Sequence, residues 1–276
     1  MRDAALQSLA VGFFDGVHLG HQAILKGADA ALTFRNHPLA VLAPEKAPRL
    51  IMTAEERVAA IKACGVGEVT VLDFTRELAE MSAEEFAVRY LPSSVRCGAN
   101  WRFGKGGEGN ADWLRAKGIA VEVVPYAEYK GEPISSSRIR QCLESGAIED
   151  ANAMMGRRYE VRGKREEGKG LGRKIGYPTI NFSLEDLNLK LQCGVYEIEI
   201  DGVKGIANYG FAPTMGDQSW KKPILEVHLL ASHPSSLFPH PSSLISFVRF
   251  IRPERKFASI DDLKRQIAAD CATIVP

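Results

Sequence analysis

Long apolar runs are missing. No stretch of about 18 consecutive apolar residues occurs in the 276-residue chain, so no membrane-spanning helix is expected. The opening, Met1 to Gly16, lacks the basic n-region and the apolar segment of about 7–15 residues that mark a secretory leader, which points to cytoplasmic residence. Cysteine is sparse. Cys64, Cys97, Cys142, Cys193 and Cys271 are scattered, odd in number and never spaced C-x-x-C, which argues against a disulfide framework or a zinc site. An excess of one charge is also absent: 35 Lys and Arg face 34 Asp and Glu, leaving a formal +1. That balance speaks against capture of nucleic acid or an anionic membrane, while leaving room for local basic sites that hold small phosphates. Hydrophobic residues at 45% and charged residues at 25% suit a soluble globular protein. The length favours two domains, and the oligomeric state stays open.

The texture changes midway, and the expected division is residues 1–150 and 151–276. The first half alternates strand-like and helix-like segments. Leu9–Phe14 reads as a buried strand, His21–Ala31 as a helix and Ala31–Phe34 as a strand end. Thr53 with Glu55 and Glu56 caps a helix running to about Cys64. Glu68–Leu72, Val95–Gly98 and Val121–Pro125 read as strands, with helices at Ser82–Tyr90 (capping box Ser82 and Glu85), Asp112–Lys117 and Ser136–Leu143. Such βα alternation implies an open, mostly parallel, Rossmann-like sheet covered by helices, with ligands beyond the carboxyl ends of its strands. From about Arg158 the segments are short, rich in Val, Ile and Tyr, and punctuated by Gly, Pro and Asn: Tyr159–Gly163, Gly194–Ile200, Gly205–Ala207, Leu225–Leu230 and Ile245–Ile251. They read as an antiparallel β-barrel. A closing helix is capped by Ser259 and carries an apolar stripe of Ile260, Leu263, Ile267 and Ala268. The echo HPSSL at 233–237 and 240–244 reads as a Ser/Pro-rich hairpin connection.

Two pieces of the first half carry chemistry. In Gly12-Phe13-Phe14-Asp15-Gly16-Val17-His18-Leu19-Gly20-His21 a strand turns into a helix, and His18 and His21, at i and i+3, share a face at its start. Imidazoles beside the free N–H groups of a helix start suit a nucleotide triphosphate and the charge that develops as pyrophosphate leaves. Gly20 leaves the surface open. Ile134-Ser135-Ser136-Ser137-Arg138-Ile139-Arg140 places hydroxyls and guanidiniums at another helix start, a phosphate clamp. Read alone, each piece is equally a pair of helix-start histidines and a serine cap with surface arginines; their joint presence favours the phosphate reading.

In the second half, Gly168-Lys169-Gly170-Leu171-Gly172-Arg173-Lys174-Ile175-Gly176-Tyr177-Pro178-Thr179-Ile180-Asn181 combines glycines that let backbone fold over phosphates with basic side chains. Thr179 and Asn181 offer uncharged oxygens to magnesium. In Ile224–Leu230, alternation puts Leu225, Val227 and Leu229 on one face and Glu226 and His228 on the other. A solvent-facing Glu226 and a mobile glycine loop are the plain alternatives, and His228 reads as packed or hydrogen-bonded. Gly104-Lys105-Gly106-Gly107-Glu108-Gly109 fits G-x-G-x-x-G but lies too late in the domain for a dinucleotide fingerprint. Gly163…Gly168-Lys169-Gly170 mimics a P-loop without its Ser/Thr.

The series G-F-F-D-G-V-H-L-G-H, F-R-N-H-P (34–38), C-G-A-N-W-R-F-G (97–104) and I-S-S-S-R-I-R, followed by G-R-K-I-G-Y-P-T-I-N, resembles the bacterial bifunctional riboflavin kinase/FMN adenylyltransferases over nearly the whole chain. The resemblance implies an ATP-dependent kinase that makes FMN from riboflavin and an adenylyltransferase that makes FAD and pyrophosphate from FMN. It implies ATP as co-substrate and Mg2+ as cofactor. His18, His21 and Arg140 would serve adenylyl transfer, with Gly12, Phe13, Asp15, Asn100, Ser136 and Ser137 around the nucleotide. Glu226 would be the base for the riboflavin hydroxyl, and Gly168, Gly172, Arg173, Gly176, Pro178 and Asn208 would hold nucleotide beside Thr179 and Asn181. Asn208-Tyr209-Gly210, Pro213-Thr214 and Phe250-Ile251-Arg252 resemble pocket framework. The chain departs from the family in three places. Asn36 replaces a proline, Trp101 stands where Phe is common, and the segment from His21 to Phe34 is shorter by about two helical turns, from which trimmed second and third strands are expected. The alternatives are a kinase with a weak or lost adenylyltransferase half and a non-catalytic flavin-storage protein, which would need neither base nor metal ligands.

Overall fold

The computed structural model describes residues 8–167, 172, 175–184, 189–211, 223–230 and 242–274. The chain divides into two compact units, Met1–Ser137 and Arg138–Pro276. The division expected at 150/151 falls inside a helix, Ile148–Met155.

The first unit runs β1 (Leu9–Val11), α1 (Leu19–Leu25), β2 (Ala30–Phe34), α2 (Leu39–Leu42), α3 (Ala54–Ala63), β3 (Glu68–Leu72), α4 (Arg76–Glu80), α5 (Ala83–Tyr90), β4 (Ser94–Gly98), α6 (Ala111–Ala116), β5 (Ala120–Val124) and a small hairpin of β6 (Glu128–Tyr129) and β7 (Glu132–Pro133). Its sheet is parallel in the order β3-β2-β1-β4-β5. The order reverses at β1, so the crevice between the carboxyl ends of β1 and β4 is where such a sheet takes a ligand. Both faces are covered, as a central parallel strand requires. Leu9 and Val11 pack with Phe86 of α5 on one side, while Ala10 packs with Ile24, Leu25 and Ile61 of α1 and α3 on the other. Thr53 and Ser82 both close full capping boxes, with Glu56 and Glu85.

Two expectations here are corrected. The first helix ends at Leu25, because Gly27 takes φ +80° and the chain turns into β2. The second and third strands are not trimmed: β2 and β3 pair over five positions each, as β4 and β5 do. α1, which opens the shorter segment, has seven residues.

The second unit begins with α7 (Ser136–Ser145), which straddles the division, and α8 (Ile148–Met155). It continues with β8 (Tyr159–Glu166), β9 (Ile180–Ser183), β10 (Gly194–Ile200), β11 (Val203–Phe211), β12 (Pro223–Leu229), β13 (Ser242–Pro253) and α9 (Ile260–Ala272). The strands close an antiparallel barrel in the order β10-β11-β12-β9-β8-β13. Tyr196, Phe182, Leu225, Val227 and Phe247 are among the side chains buried within this unit. α8 belongs with the barrel physically: Asn152 donates to the Phe247 carbonyl at 2.9 Å and accepts from the Tyr159 N–H at 2.7 Å.

The strands on either side of the 233–244 echo are not partners of one another. β12 pairs with β11 and β9, β13 with β8 and β10, so the chain between β12 and β13 joins strands that are not neighbours. Residues 233–237, 240 and 241 lie outside the described residues, and Ser242–Leu244 of the second copy already belong to β13. The stripe of α9 is also corrected. Ile267 and Cys271, with Ile274 just beyond the helix, pack against Val195 and Ile206, and Leu263 lines the cavity described below. Ile260, in the first turn, is left 59% exposed, and Ala268 is exposed because it sits about 100° round the helix from Ile267.

Candidate active sites

In the first unit the turn after β1 is built under strain. Phe14 and Val17 take φ of 58° and 38°, and Gly16 takes 80°; non-glycine residues held there mark a geometry that the surroundings enforce. Three bonds enforce it. Gly12 N–H donates to the Leu32 carbonyl at 3.1 Å, Thr33 Oγ1 donates to the Phe13 carbonyl at 2.9 Å, and Ser136 Oγ donates to the Asp15 carbonyl at 2.9 Å. Asp15 is buried, and its carboxylate accepts from the backbone of Ile51 at 3.1 Å and Met52 at 3.3 Å. These bonds anchor the loop ahead of α3.

The turn delivers the histidines as a stacked pair. His18 caps α1 through Nδ1, which accepts from the His21 N–H at 3.3 Å, and the two rings lie 3.6 Å apart and nearly parallel. With Nδ1 accepting, the proton of neutral His18 sits on Nε2. His21 Nδ1 is buried without a partner, and burial, then the neighbouring His18 and Arg57, push its pKa well below the ordinary value of 6.5. A side chain at Gly20 would crowd the His18 ring at 3.2 Å, which accounts for the glycine.

Around this turn, Asn100 lies exposed just beyond β4. Ser136 and exposed Ser137 open α7, and Arg140 follows on that helix beside buried Ile139 and Leu143. Asn36, which stands where the family has proline, is pinned by two bonds. Its Nδ2 donates to the Phe74 carbonyl at 2.9 Å and its Oδ1 accepts from the Phe74 N–H at 3.0 Å. This side chain fixes the loop that a proline ring would stiffen. Trp101 stacks on Phe103 at 4.7 Å and packs into the core. The glycine run 104–109 folds onto the start of α5, where Glu108 accepts from the Ala83 N–H at 2.7 Å. A side chain at Gly104 or Gly109 would collide with Ala83 or Phe103, so these glycines serve packing.

One buried group here escaped the sequence reading. Arg57 of α3 is fully buried, and its guanidinium lies 4.3 Å from the centre of the Phe13 ring. The available signal was its spacing: Arg57 and Ile61 stand at i and i+4 on the inward face of α3, where an arginine is out of place.

In the second unit, strand register lines up three polar residues. Glu226 of β12 stands opposite Asn208 of β11 on one side and Asn181 of β9 on the other, so all three share one face. Glu226 is exposed between buried Leu225 and Val227. Asn208 Nδ2 donates to Glu254 at 2.9 Å. Asn181 Oδ1 is buried and has no hydrogen-bond partner. His228 is held by its Nδ1, 2.9 Å from the Pro178 carbonyl, with its ring edge-on to Tyr177. A cavity of about 610 Å³ opens here, lined on one side by Gly172, Thr179, Asn208 and Glu226 and on the other by Phe257 and Ile267. Gly172 lines it, and a side chain there would strike the Tyr177 carbonyl. Gly176, between the lining residues Ile175 and Tyr177, turns with φ +89°. Thr179 lines the cavity too, and both it and Pro178 before it are exposed. Gly168, Lys169 and Arg173, and Pro213-Thr214, lie outside the described residues. Among the described residues no three His, Cys, Asp or Glu side chains gather as a metal cluster.

Comparison with known proteins bears on both units. The FAD synthetase family profile matches residues 2–138 and the riboflavin kinase profile residues 155–275. Proteins named bifunctional riboflavin kinase/FMN adenylyltransferase are 32% identical to this chain. The one from Bacillus subtilis (strain 168) aligns over 97% of this chain and 91% of its own, and the one from Escherichia coli (strain K12) over 95% and 90%. A crystal structure described as a macrolide-efflux protein from Streptococcus pneumoniae is similar at a TM-score of 0.86 and 28% identity, covering 98% of this chain and 94% of that one. Its description differs from both profiles, and among the described residues no helix is long and apolar enough to cross a membrane.

Proposed function

The chain belongs to the bifunctional riboflavin kinase/FMN adenylyltransferase family, enzymes that phosphorylate riboflavin with ATP and adenylylate FMN to FAD, and from that premise we propose how its residues divide the work. The observation that carries the proposal is the row Asn181–Glu226–Asn208, of which Glu226 and Asn208 line a cavity large enough for a flavin.

In the kinase, Glu226 takes the proton of the riboflavin terminal hydroxyl as that oxygen attacks the γ-phosphorus of ATP. Asn208, steadied by Glu254, holds the acceptor beside it. Gly172, which lines the cavity, with Gly176 and Pro178 beside it in sequence, faces the phosphates, and Gly168 and Arg173 are assigned to the same nucleotide on the strength of their motif alone. The residues present fit magnesium: the orphaned Asn181 Oδ1 and the Thr179 hydroxyl are uncharged hard oxygens of the kind it accepts alongside phosphate and water. When bound, the ion would offset charge on the β- and γ-phosphoryl oxygens.

In the adenylyltransferase, the phosphate of FMN attacks the α-phosphorus of ATP and pyrophosphate leaves. No covalent enzyme intermediate is needed, so catalysis is positioning plus electrostatics. His18 donates from Nε2 and His21 stands behind it, while Gly12, Phe13 and Asp15 set the turn. Asn100, Ser136 and Ser137 contact nucleotide. Arg140 keeps its role in the same reaction on the strength of its motif. The substrate-touching residues divide at 150/151, although α8 packs with the barrel. Five scattered cysteines suit a reducing cytoplasm.

Incubation of the protein with riboflavin and Mg-ATP, followed by separation of the flavins, tests the reading. FMN and FAD together are expected. FMN alone would mean a lost adenylyltransferase, and no product would contradict both assignments.

A further inference from the structure

Arg57 is a buried cation that neither half-reaction has yet used. It is 0% exposed, yet its hydrogen bonds among the described residues are made by one nitrogen: Nη2 donates to the carbonyls of Phe34 and, at 3.1 Å, Arg35. Nε and Nη1 are buried without partners. Its positive face lies 4.3 Å from the centre of the Phe13 ring, and the Phe13 ring also meets His37 edge-on at 4.8 Å. The guanidinium therefore touches the turn after β1 and the loop after β2 at once. The surroundings charge heavily for this group. Burial pulls the Arg57 pKa down, and only the nearby Asp15 and Glu55 pull it back. A methionine would fill most of the space without that penalty, since an uncompensated buried charge destabilises a fold.

We propose that Arg57 is a positioning residue for adenylyl transfer. It locks Phe13 to the Phe34–Arg35 backbone, and it keeps a fixed positive charge against the turn that carries His18 and His21, where negative charge grows as pyrophosphate leaves. Part of its effect passes through His21. Burial first, then His18 and then Arg57 disfavour a positive charge on His21, so Arg57 adds to what keeps that ring neutral. The inference rests on the adenylyl-transfer site lying at the turn after β1.

The test uses the full chain carrying R57M, R57K or H21A, with riboflavin phosphorylation as internal control. R57M is expected to lower kcat for FAD formation from FMN by about 10²-fold while the KM for ATP stays within about threefold. Its acidic pH limb should move to higher pH, because His21 loses the cation that resists its protonation. R57K should recover at least about tenfold. R57M activity within threefold of the unsubstituted chain would overturn the proposal, as would R57K no faster than R57M. Unfolding of the first unit by both variants would overturn it too, leaving a purely structural cation. Should H21A also be fully active, the site assignment itself fails. An inactive H21A beside an active R57M removes Arg57 alone.

Discussion

Removal of the Asp270 carboxylate should loosen the helix that walls the flavin cavity. Asp270, near the end of α9, is 2% exposed and accepts from Arg252 of β13 through Nε at 3.0 Å and Nη2 at 2.8 Å, and from Gln266 at 2.6 Å. Asp270→Ala strands the Arg252 guanidinium, whose side chain is only 17% exposed. Breaking a buried pair from one side costs about 3–5 kcal/mol, and the partial exposure of Arg252 places the loss near 3. With a urea m-value of about 1–3 kcal/mol/M, the midpoint for loss of kinase activity should fall by about 1–3 M. Leu263, Ile267 and Asp270 all line the cavity, so the KM for riboflavin should rise at least about fivefold. Adenylyltransferase activity, measured in the same tubes, should hold its midpoint. The double variant R252M/D270A should regain most of the lost stability, because no charge is then left alone. A loss below about 1 kcal/mol, or a double variant no better than D270A, would refute the reasoning.

Three further outcomes are expected. His21 has a folded pKa below the ordinary 6.5, so its contribution to stability is present above about pH 6.5 and is lost as pH falls from there through the folded value. Thermal unfolding at pH 7.5 and 5.5 should show a smaller acid loss in His21→Asn than in the unsubstituted chain. Asn36→Ala removes both bonds to Phe74 and should cost the first unit about 1–3 kcal/mol while raising the KM for FMN more than that for ATP, read by denaturation and initial rates. A fragment starting at Arg138 should phosphorylate riboflavin. One starting at Ala153 lacks Asn152 and the buried Ile148 and Ala151, and should be markedly less stable; equal stability would deny α8 its role.

Local periodicity made much of this protein legible. The alternation at Leu225, Val227 and Leu229 placed Glu226 on the open face of β12, and Thr53 and Ser82 announced their helices through spacing alone. The His18–His21 spacing foretold a shared face, and the rings are in fact stacked. What resisted reading depended on distant partners. Closure of the barrel sets which strands neighbour β12, so the 233–244 echo read as a hairpin connection although β12 and β13 do not pair. Asn36 looked like a loss because its partner, Phe74, lies 38 residues on. Arg57 gave no functional signal in sequence, since its meaning comes from Phe13 and two carbonyls brought together only by the fold. The stripe on α9 was misjudged at its ends because the docked face is set by Val195 and Ile206 of the barrel.

The central claim is that two separate sites act in series on one chain, and a crossed assay of His21→Ala and Glu226→Gln tests it most directly. Each variant is given riboflavin or FMN with Mg-ATP, and the flavins are separated. His21→Ala should form FMN at the normal rate and no appreciable FAD. Glu226→Gln should slow FMN formation by at least about 10²-fold and still convert supplied FMN to FAD. Equal loss of both activities in either folded variant, or near-normal phosphorylation by Glu226→Gln, would contradict the account.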